Sequence, residues 1–191
     1  IRWHFVAWNN PLRLSLMIRI IFLLCISLWA GNYGKLEQRA QKYYQNNSFK
    51  KAILLYQKTE KLGAPAHLVA FNIGNCYYRS NEWALAAAAY KKSIRVEPFA
   101  FEAAHFNLAA VLYRLQEYGQ SIAAYHRALS LDPKNLAGWL FLGEVYTRSG
   151  DFVGAQRALE KAQDLAPDDV SISYQLAEIL INQKNIIKHT W

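Results

Sequence analysis

The chain has 191 residues, of which 53% are apolar and 19% are charged. This balance excludes a disordered charged tail and a membrane protein with many spans, and the length suits one compact domain or a short repeat array. Two cysteines cannot build a disulfide framework, and neither lies in a spacing that a zinc site needs. Lys and Arg outnumber Asp and Glu by 22 to 14, so the formal net charge is +8, which favours acidic partners or anionic surfaces.

The first thirty residues have the layout of an export signal. Met17 is the only methionine and the expected initiator; Arg19 follows it, and then an uncharged run of 11 residues over 20–30. As a helix this run is roughly 16 Å long, against the ~30 Å that a bilayer core requires. Residues 1–30 are therefore predicted to be a cleaved signal peptide, with an uncleaved anchor or a buried or disordered extension as alternatives. The expected location is exported, periplasmic or associated with the bacterial inner membrane.

The rest of the chain repeats with a period of 34 or 35 residues, and a proline closes each of the three clearest units. A degenerate unit precedes them, and a half-unit that reads as a capping helix and a frayed tail follow. The units are 33–66, 67–100, 102–135 and 136–169, the capping helix is 170–183 and the tail is 184–191.

Small side chains recur at fixed places in these units. The eighth position holds Ala40, Gly74, Ala109, Gly143 and Ala177, and the twentieth holds Ala52, Ala86, Ser121 and Ala155. The twenty-fourth position is large and holds Tyr56, Tyr90, Tyr125 and Leu159. Small residues at matching places on successive helices let the helix axes approach closely, and the apolar spacing within each half-unit is helical. Each unit is therefore predicted to be a hairpin of two helices.

Stretches such as FNIGNCYYRSNEWALAAAAYKKSIRVEP and FNLAAVLYRLQEYGQSIAAYHRALSLDP resemble the tetratricopeptide repeat (TPR), and the resemblance covers about 33–183. It implies an all-α fold, a right-handed superhelix of stacked helix-turn-helix hairpins (an α-solenoid) whose first helices line a concave groove. Through FNIGNCYY followed by NLA, the chain also has some likeness to the short signal-bearing repeat proteins of bacterial aerotolerance operons, the BatE type.

In family register, the side chains on the inner wall of the groove are available to bind a partner. They include a ladder of tyrosines beside a ladder of arginines, a combination that suits an extended peptide because rings bury apolar side chains and guanidinium groups grip carboxylates. The competing interpretation is plain interhelical packing for the aromatic residues and solvation for the charges. The predicted groove residues are Tyr44, Phe71, Asn75, Tyr78, Arg79, Phe106, Asn107, Tyr113, Arg114, Leu140, Glu144, Arg148 and Tyr174.

The predicted function is a protein–protein interaction scaffold or adaptor that binds an extended peptide or helix of a partner protein, with an acidic or carboxylate-bearing segment as the ligand. The alternative is a basic helical module that binds RNA or a membrane surface. Nucleic acid is not expected, because there is no RNA-binding signature and no dense Lys/Arg stripe beyond the three arginines. For the scaffold, membrane contact is expected through the N-terminal segment.

The sequence offers no catalytic constellation. Cys76 is the one plausible nucleophile and His105 the nearest base, and their repeat positions put them roughly 9 Å apart along parallel helices. We therefore expect no enzyme activity, no cofactor, no metal and no small-molecule substrate. The clamp with which some TPR domains hold chaperone C-termini is incomplete, because Phe71, Ala137 and Phe141 occupy its basic places.

Overall fold

A computed structural model of the chain describes residues 33–97 and 102–189, with side chains up to residue 184. The predicted signal peptide or anchor at 1–30 lies outside the described residues. The chain divides into two compact units, with the division after Pro65.

The first unit is described from residue 33 and contains helices α1 (33–45) and α2 (Phe49–Lys61). They form a hairpin in which the Tyr56 hydroxyl donates a hydrogen bond to Gln41 Oε1 at 2.9 Å. The small residues Ala40 and Ala52 are fully buried in this hairpin. Small residues therefore occupy buried positions here too, as close approach of helices requires.

The second unit consists of seven helices in its described part. They are α3 (Ala66–Arg79), α4 (Trp83–Val96), α5 (Glu102–Arg114), α6 (Tyr118–Leu131), α7 (Leu136–Ser149), α8 (Phe152–Leu165) and α9 (Val170–His189). Each helix packs against the next one in the sequence, which is the arrangement of a solenoid. Residues 33–97 and 102–189 contain no strand, and the predicted all-α fold of stacked hairpins is confirmed.

One residue in a left-handed conformation makes the turn inside each hairpin. These residues are Asn47, Asn81, Gln116 and Gly150, with φ angles of 57°, 61°, 62° and 83°. All four occupy the fifteenth position of their units. Asn and Gly adopt this conformation readily, whereas Gln does so at some cost.

The core is built where small and large repeat positions meet. Tyr90 is 1% exposed, and its ring packs so closely on Gly74 that a Cβ atom there would lie 2.6 Å from Tyr90 Cε1. Ser121, the only polar residue at the twentieth position, is fully buried and donates a hydrogen bond to the backbone oxygen of Ala109 at 2.8 Å. Close contact between the helices of a hairpin therefore depends on the missing side-chain volume.

Helix α9 is longer than predicted. The capping helix was expected to end at residue 183, with a frayed tail over 184–191, but the helix continues to His189. The segment from Lys184 to His189 contains no glycine or proline to stop it, so the helix propagates. Its buried face includes Ile172 and Ile179, which are 0% and 4% exposed. None of the helices described is both long enough and apolar enough to cross a bilayer.

Candidate binding surface on the first helices

Helices α3, α5 and α7, the first helices of their hairpins, and the capping helix α9 carry a surface of exposed and half-buried side chains, which we call the first-helix surface. Side chains connect α3 to α5 and α5 to α7 directly, so this surface is continuous from helix to helix. The connecting pairs are Asn75 with Asn107 (3.0 Å), Phe106 with Phe141 (ring centroids 5.9 Å apart), and Tyr113 with Glu144 (2.6 Å).

The aromatic side chains of this surface rest on the buried tyrosines of the second helices. Phe71 packs on Tyr90 at 5.7 Å between ring centroids, and Phe106 meets Tyr125 edge-on at 5.5 Å. Phe141 stacks on Tyr125 at 6.3 Å with an angle of 10° between the rings, and it remains 45% exposed. Phe141 was not among the predicted groove residues, although Asn107, at the same repeat position in the preceding unit, was.

Two of the predicted groove residues, Asn75 and Asn107, are joined in a hydrogen-bond network. Asn75 Oδ1 accepts a hydrogen bond from the Tyr90 hydroxyl at 2.7 Å and another from Asn107 Nδ2 at 3.0 Å. Both amides are half-buried, so these bonds hold them in place between α3 and α5. Part of their hydrogen-bonding capacity is therefore used by the fold itself.

The tyrosine ladder also has a structural role, because each tyrosine packs on the aromatic residue five positions later, across the hairpin turn. In the first unit, Tyr44 meets Phe49 edge-on at 5.9 Å. The same pairing recurs in the next two repeats, as Tyr78 with Trp83 at 5.2 Å and Tyr113 with Tyr118 at 6.0 Å. Leu140, likewise predicted for the groove, packs against a cluster formed by Ala155, Leu159 and Ile179.

The three arginines of the predicted ladder are exposed, and each lies in the last turn of its helix: Arg79 on α3, Arg114 on α5 and Arg148 on α7. The helix dipole favours a cation at this place, which is one structural reason for their recurrence. Their exposure also leaves them accessible to a ligand. Tyr174 of α9 is 73% exposed.

The Tyr113 hydroxyl donates a hydrogen bond to Glu144 Oε1 at 2.6 Å. This hydrogen bond, followed by burial and the charge of Glu144, raises the pKa of Tyr113, and the positive charge of Arg148 opposes the rise. The tyrosine therefore stays neutral and Glu144 acts as the acceptor. Three predicted groove residues are thus brought together at the junction of α5 and α7.

A cleft of about 580 Å³ opens beside this junction, between α7, α8 and α9. Its polar lining includes Glu144 and Arg148, which were predicted for the groove, and Glu178 of α9. Its apolar lining includes Phe152 and Leu159 of α8. The cleft combines two carboxylates, one guanidinium group and an apolar floor.

Cys76 is fully buried, and burial raises the pKa of its thiol from 9.0 to about 12, with a smaller opposing effect of Arg79. A thiol with this pKa is almost entirely protonated at neutral pH, which makes it a poor nucleophile. Within the described ranges, no three His, Cys, Asp or Glu side chains stand close enough to hold a metal ion.

This chain belongs to the tetratricopeptide repeat family, whose models match residues 38–103 and 112–169. Among curated proteins it is similar to Superkiller protein 3 of Schizosaccharomyces pombe, with 26% identity over 155 residues. That match covers 78% of this chain and 11% of the relative, so the chain spans only a small part of the relative's length.

Solved structures share the fold at low sequence identity. The structure of residues 41 to the end of MamA from Desulfovibrio magneticus RS-1 has a TM-score of 0.71 and 16% identity, covering 80% of this chain and 85% of that one. YrrB, described as a TPR protein with an unusual peptide-binding site, has a TM-score of 0.68 and 17% identity, covering 78% and 77%. The first TPR of Spaghetti (RPAP3), bound to the HSP90 peptide SRMEEVD, has a TM-score of 0.57 and 18% identity, covering 62% and 94%.

Proposed function

We propose that this protein is an interaction scaffold whose first-helix surface binds an extended segment of a partner protein. The observation that carries this proposal is the continuity of the surface, since side chains link α3 to α5 and α5 to α7. Two structural neighbours, YrrB and the first TPR of Spaghetti, are themselves described with a peptide-binding site or a bound peptide, which supports the same kind of ligand.

The chemistry of the surface favours an acidic or carboxylate-bearing segment. Arg79 and Arg114 are exposed at equivalent places on α3 and α5, where guanidinium groups can grip carboxylates. The half-buried rings of Phe71 and Phe106 lie on the same two helices and offer apolar contact. Arg148 stands beside Glu144 and Glu178 in the cleft, so its charge is opposed there.

Charge reversal tests this proposal. The partner is first represented by an array of 15-residue peptides that vary in charge and aromatic content, and a bound acidic peptide is then titrated in solution. Changing Arg79 and Arg114 together to Glu removes two cations and adds two repelling carboxylates, so the affinity should fall at least about tenfold. The matched control reverses Lys91 and Arg95, which are exposed on the second helix α4.

The control variant should bind like the wild type, and all the proteins should keep the same circular dichroism spectrum. Equal losses in both double variants would attribute binding to the overall net charge and contradict the proposal. Binding of random-sequence RNA that weakens steeply with added salt would favour the basic RNA-binding alternative instead.

We further propose that the chain is exported, to the periplasm or the outer face of the bacterial inner membrane. The support is the sequence of residues 1–30, with Arg19 before an uncharged run of 11 residues. The mass of the N-terminus of the native protein tests this. Cleavage near residue 30 would support a signal peptide, whereas a chain that retains residues before Met17 would contradict it.

A further inference from the structure

We propose that the cleft between α7, α8 and α9 is a subsite for one basic side chain, lysine or arginine, of the bound segment. This inference rests on the proposed function and specifies the ligand at the α9 end of the first-helix surface. The cleft has a volume of about 580 Å³, which is ample for one long side chain. The bound segment would then carry acidic residues that contact α3 and α5 and a basic residue that enters the cleft.

Charge complementarity selects the basic residue. The cleft is lined by the carboxylates of Glu144 and Glu178 and by the single guanidinium group of Arg148, so it carries one net negative charge. An incoming cation is attracted to this charge, whereas an incoming carboxylate meets like charges, a juxtaposition that suppresses wrong partners. The opposite sign prevails on α3 and α5, where Arg79 and Arg114 end their helices.

Glu144 is held as an acceptor. The Tyr113 hydroxyl donates to Glu144 Oε1 at 2.6 Å, and this bond fixes the glutamate side chain next to the cleft. Because Tyr113 remains neutral, its hydroxyl keeps the proton that this hydrogen bond needs. The carboxylate is therefore oriented before the ligand arrives, which lowers the entropic cost of binding.

The floor of the cleft suits the stem of a basic side chain. Leu159 and Ile179 are 2% and 4% exposed, and Phe152 is half-buried beside them. Lysine and arginine bury their methylene stems on apolar surface while the charged head stays with polar partners. A lysine stem on this floor would bring the ammonium group towards the two carboxylates.

The cleft exists because the repeat pattern changes in the fourth unit. In the three earlier units a tyrosine stands at the twelfth position and packs on the aromatic residue across the turn, as Tyr78 does on Trp83 at 5.2 Å. The fourth unit has Thr147 there instead, facing the same cleft as Phe152. Threonine is much smaller than tyrosine, so the space beside Phe152 is left open.

The test compares peptides and protein variants in a matched set. Acidic peptides are synthesised with Lys, Gln or Glu at each position in turn, and their affinities are measured for the wild type and for Glu178→Gln, which removes one cleft charge while keeping the side-chain size. Glu160→Gln is the control, because Glu160 is exposed on α8 and does not line the cleft. Wild type and control should prefer Lys over Gln at one position by about five- to tenfold.

Glu178→Gln should lose most of this preference while binding the Gln-containing peptides as before. Thr147→Tyr, which fills the cleft without changing its charge, should also lose the preference. A wild type that binds acidic peptides with no preference for Lys, or that prefers Glu at that position, overturns the subsite and leaves the proposed function standing.

If no acidic peptide binds, the proposed function is contradicted and the subsite needs a test of its own. N-acetyl-lysine amide is titrated into ¹⁵N-labelled protein, and the side-chain amide signals of Gln175 and Asn182, which line the cleft, are followed. Saturable shifts in the wild type that are lost in Glu178→Gln support the subsite. Absence of such shifts overturns it.

Discussion

Replacing Gly74 by alanine tests whether missing side-chain volume holds the hairpins together. A Cβ atom at this place would lie 2.6 Å from Tyr90 Cε1 and 2.7 Å from Cδ1, whereas carbon atoms pack at about 3.5–4.0 Å. The ring therefore has to retreat by about 1 Å. It is 1% exposed, and its hydroxyl is tied to Asn75 Oδ1 at 2.7 Å, so a retreat of the ring disturbs both its packing and this hydrogen bond.

The expected magnitude follows from three contributions. Overpacking a well-packed core costs about 1–3 kcal/mol, and stretching the Tyr90–Asn75 hydrogen bond adds about 0.5–1.5 kcal/mol. Alanine recovers about 1 kcal/mol through its higher helix propensity. Gly74→Ala should therefore lower the free energy of unfolding by about 0.5–3.5 kcal/mol, measured by urea unfolding followed by circular dichroism.

The control is the same substitution where space is available. Gly119, on α6, has no atom within 4 Å of its added Cβ, so Gly119→Ala should be neutral or stabilise by up to about 1 kcal/mol. In a Tyr90→Leu background the pair resembles Gly143 and Leu159, where the added Cβ lies 3.1 Å from Leu159 Cγ, and Gly74→Ala should cost less. If Gly74→Ala stabilised as much as Gly119→Ala, or cost the same in both backgrounds, the close-packing argument would be refuted.

Three further substitutions test other parts of the fold, each by urea unfolding. The pKa of Cys76 rises from 9.0 to about 12 on folding, so the free energy of unfolding is unaffected below pH 9 and falls above it as the unfolded thiol ionises. Between pH 8 and pH 10 the wild type should lose about 1.4 kcal/mol more than Cys76→Ala. An equal loss in both proteins would contradict this. Asp151 caps the start of α8 by accepting a hydrogen bond from the Gly154 amide at 2.8 Å. Asp151→Ala should lower the free energy of unfolding by about 1 kcal/mol and Asp151→Asn by much less. Equal losses in the two variants would show that the cap is not stabilising. Ser121→Ala breaks the 2.8 Å bond to the Ala109 oxygen and should cost about 1 kcal/mol, whereas no change would show that this bond is not stabilising.

The sequence predicted what every unit needs in order to pack. Each hairpin repeats a small residue at the eighth position and a large one at the twenty-fourth, as Gly74 and Tyr90 do, so one sequence shows the pattern several times. In the structure Tyr90 packs closely on Gly74, and the predicted stacked helices are confirmed. The end of α9 was predicted wrongly because the helix runs beyond the repeat pattern, where no further copy marks a boundary.

The candidate surface was predicted only in part, and the reason is physical. The position of a residue in the repeat predicts which face of the helix it lies on, but it does not show whether that side chain already contacts a neighbouring helix. Asn75 bonds to Asn107 and Tyr90, and Tyr78 packs on Trp83, so both serve the fold as well as the surface. Such contacts join different helices, and their geometry depends on how the hairpins stack.

The positions where the units differ are the ones that can carry specificity. Positions eight and twenty-four keep their small and large character because every hairpin needs that contact, so they cannot distinguish one ligand from another. The ninth position is freer: the second and third units have Asn75 and Ala110, whereas Glu144 and Glu178 stand there in the fourth unit and the capping helix. The twelfth position changes in the same place, from tyrosine to Thr147. Negative charge and open space therefore arise together in the cleft between α7 and α9, which is why a ligand's selectivity should depend most on this end of the surface.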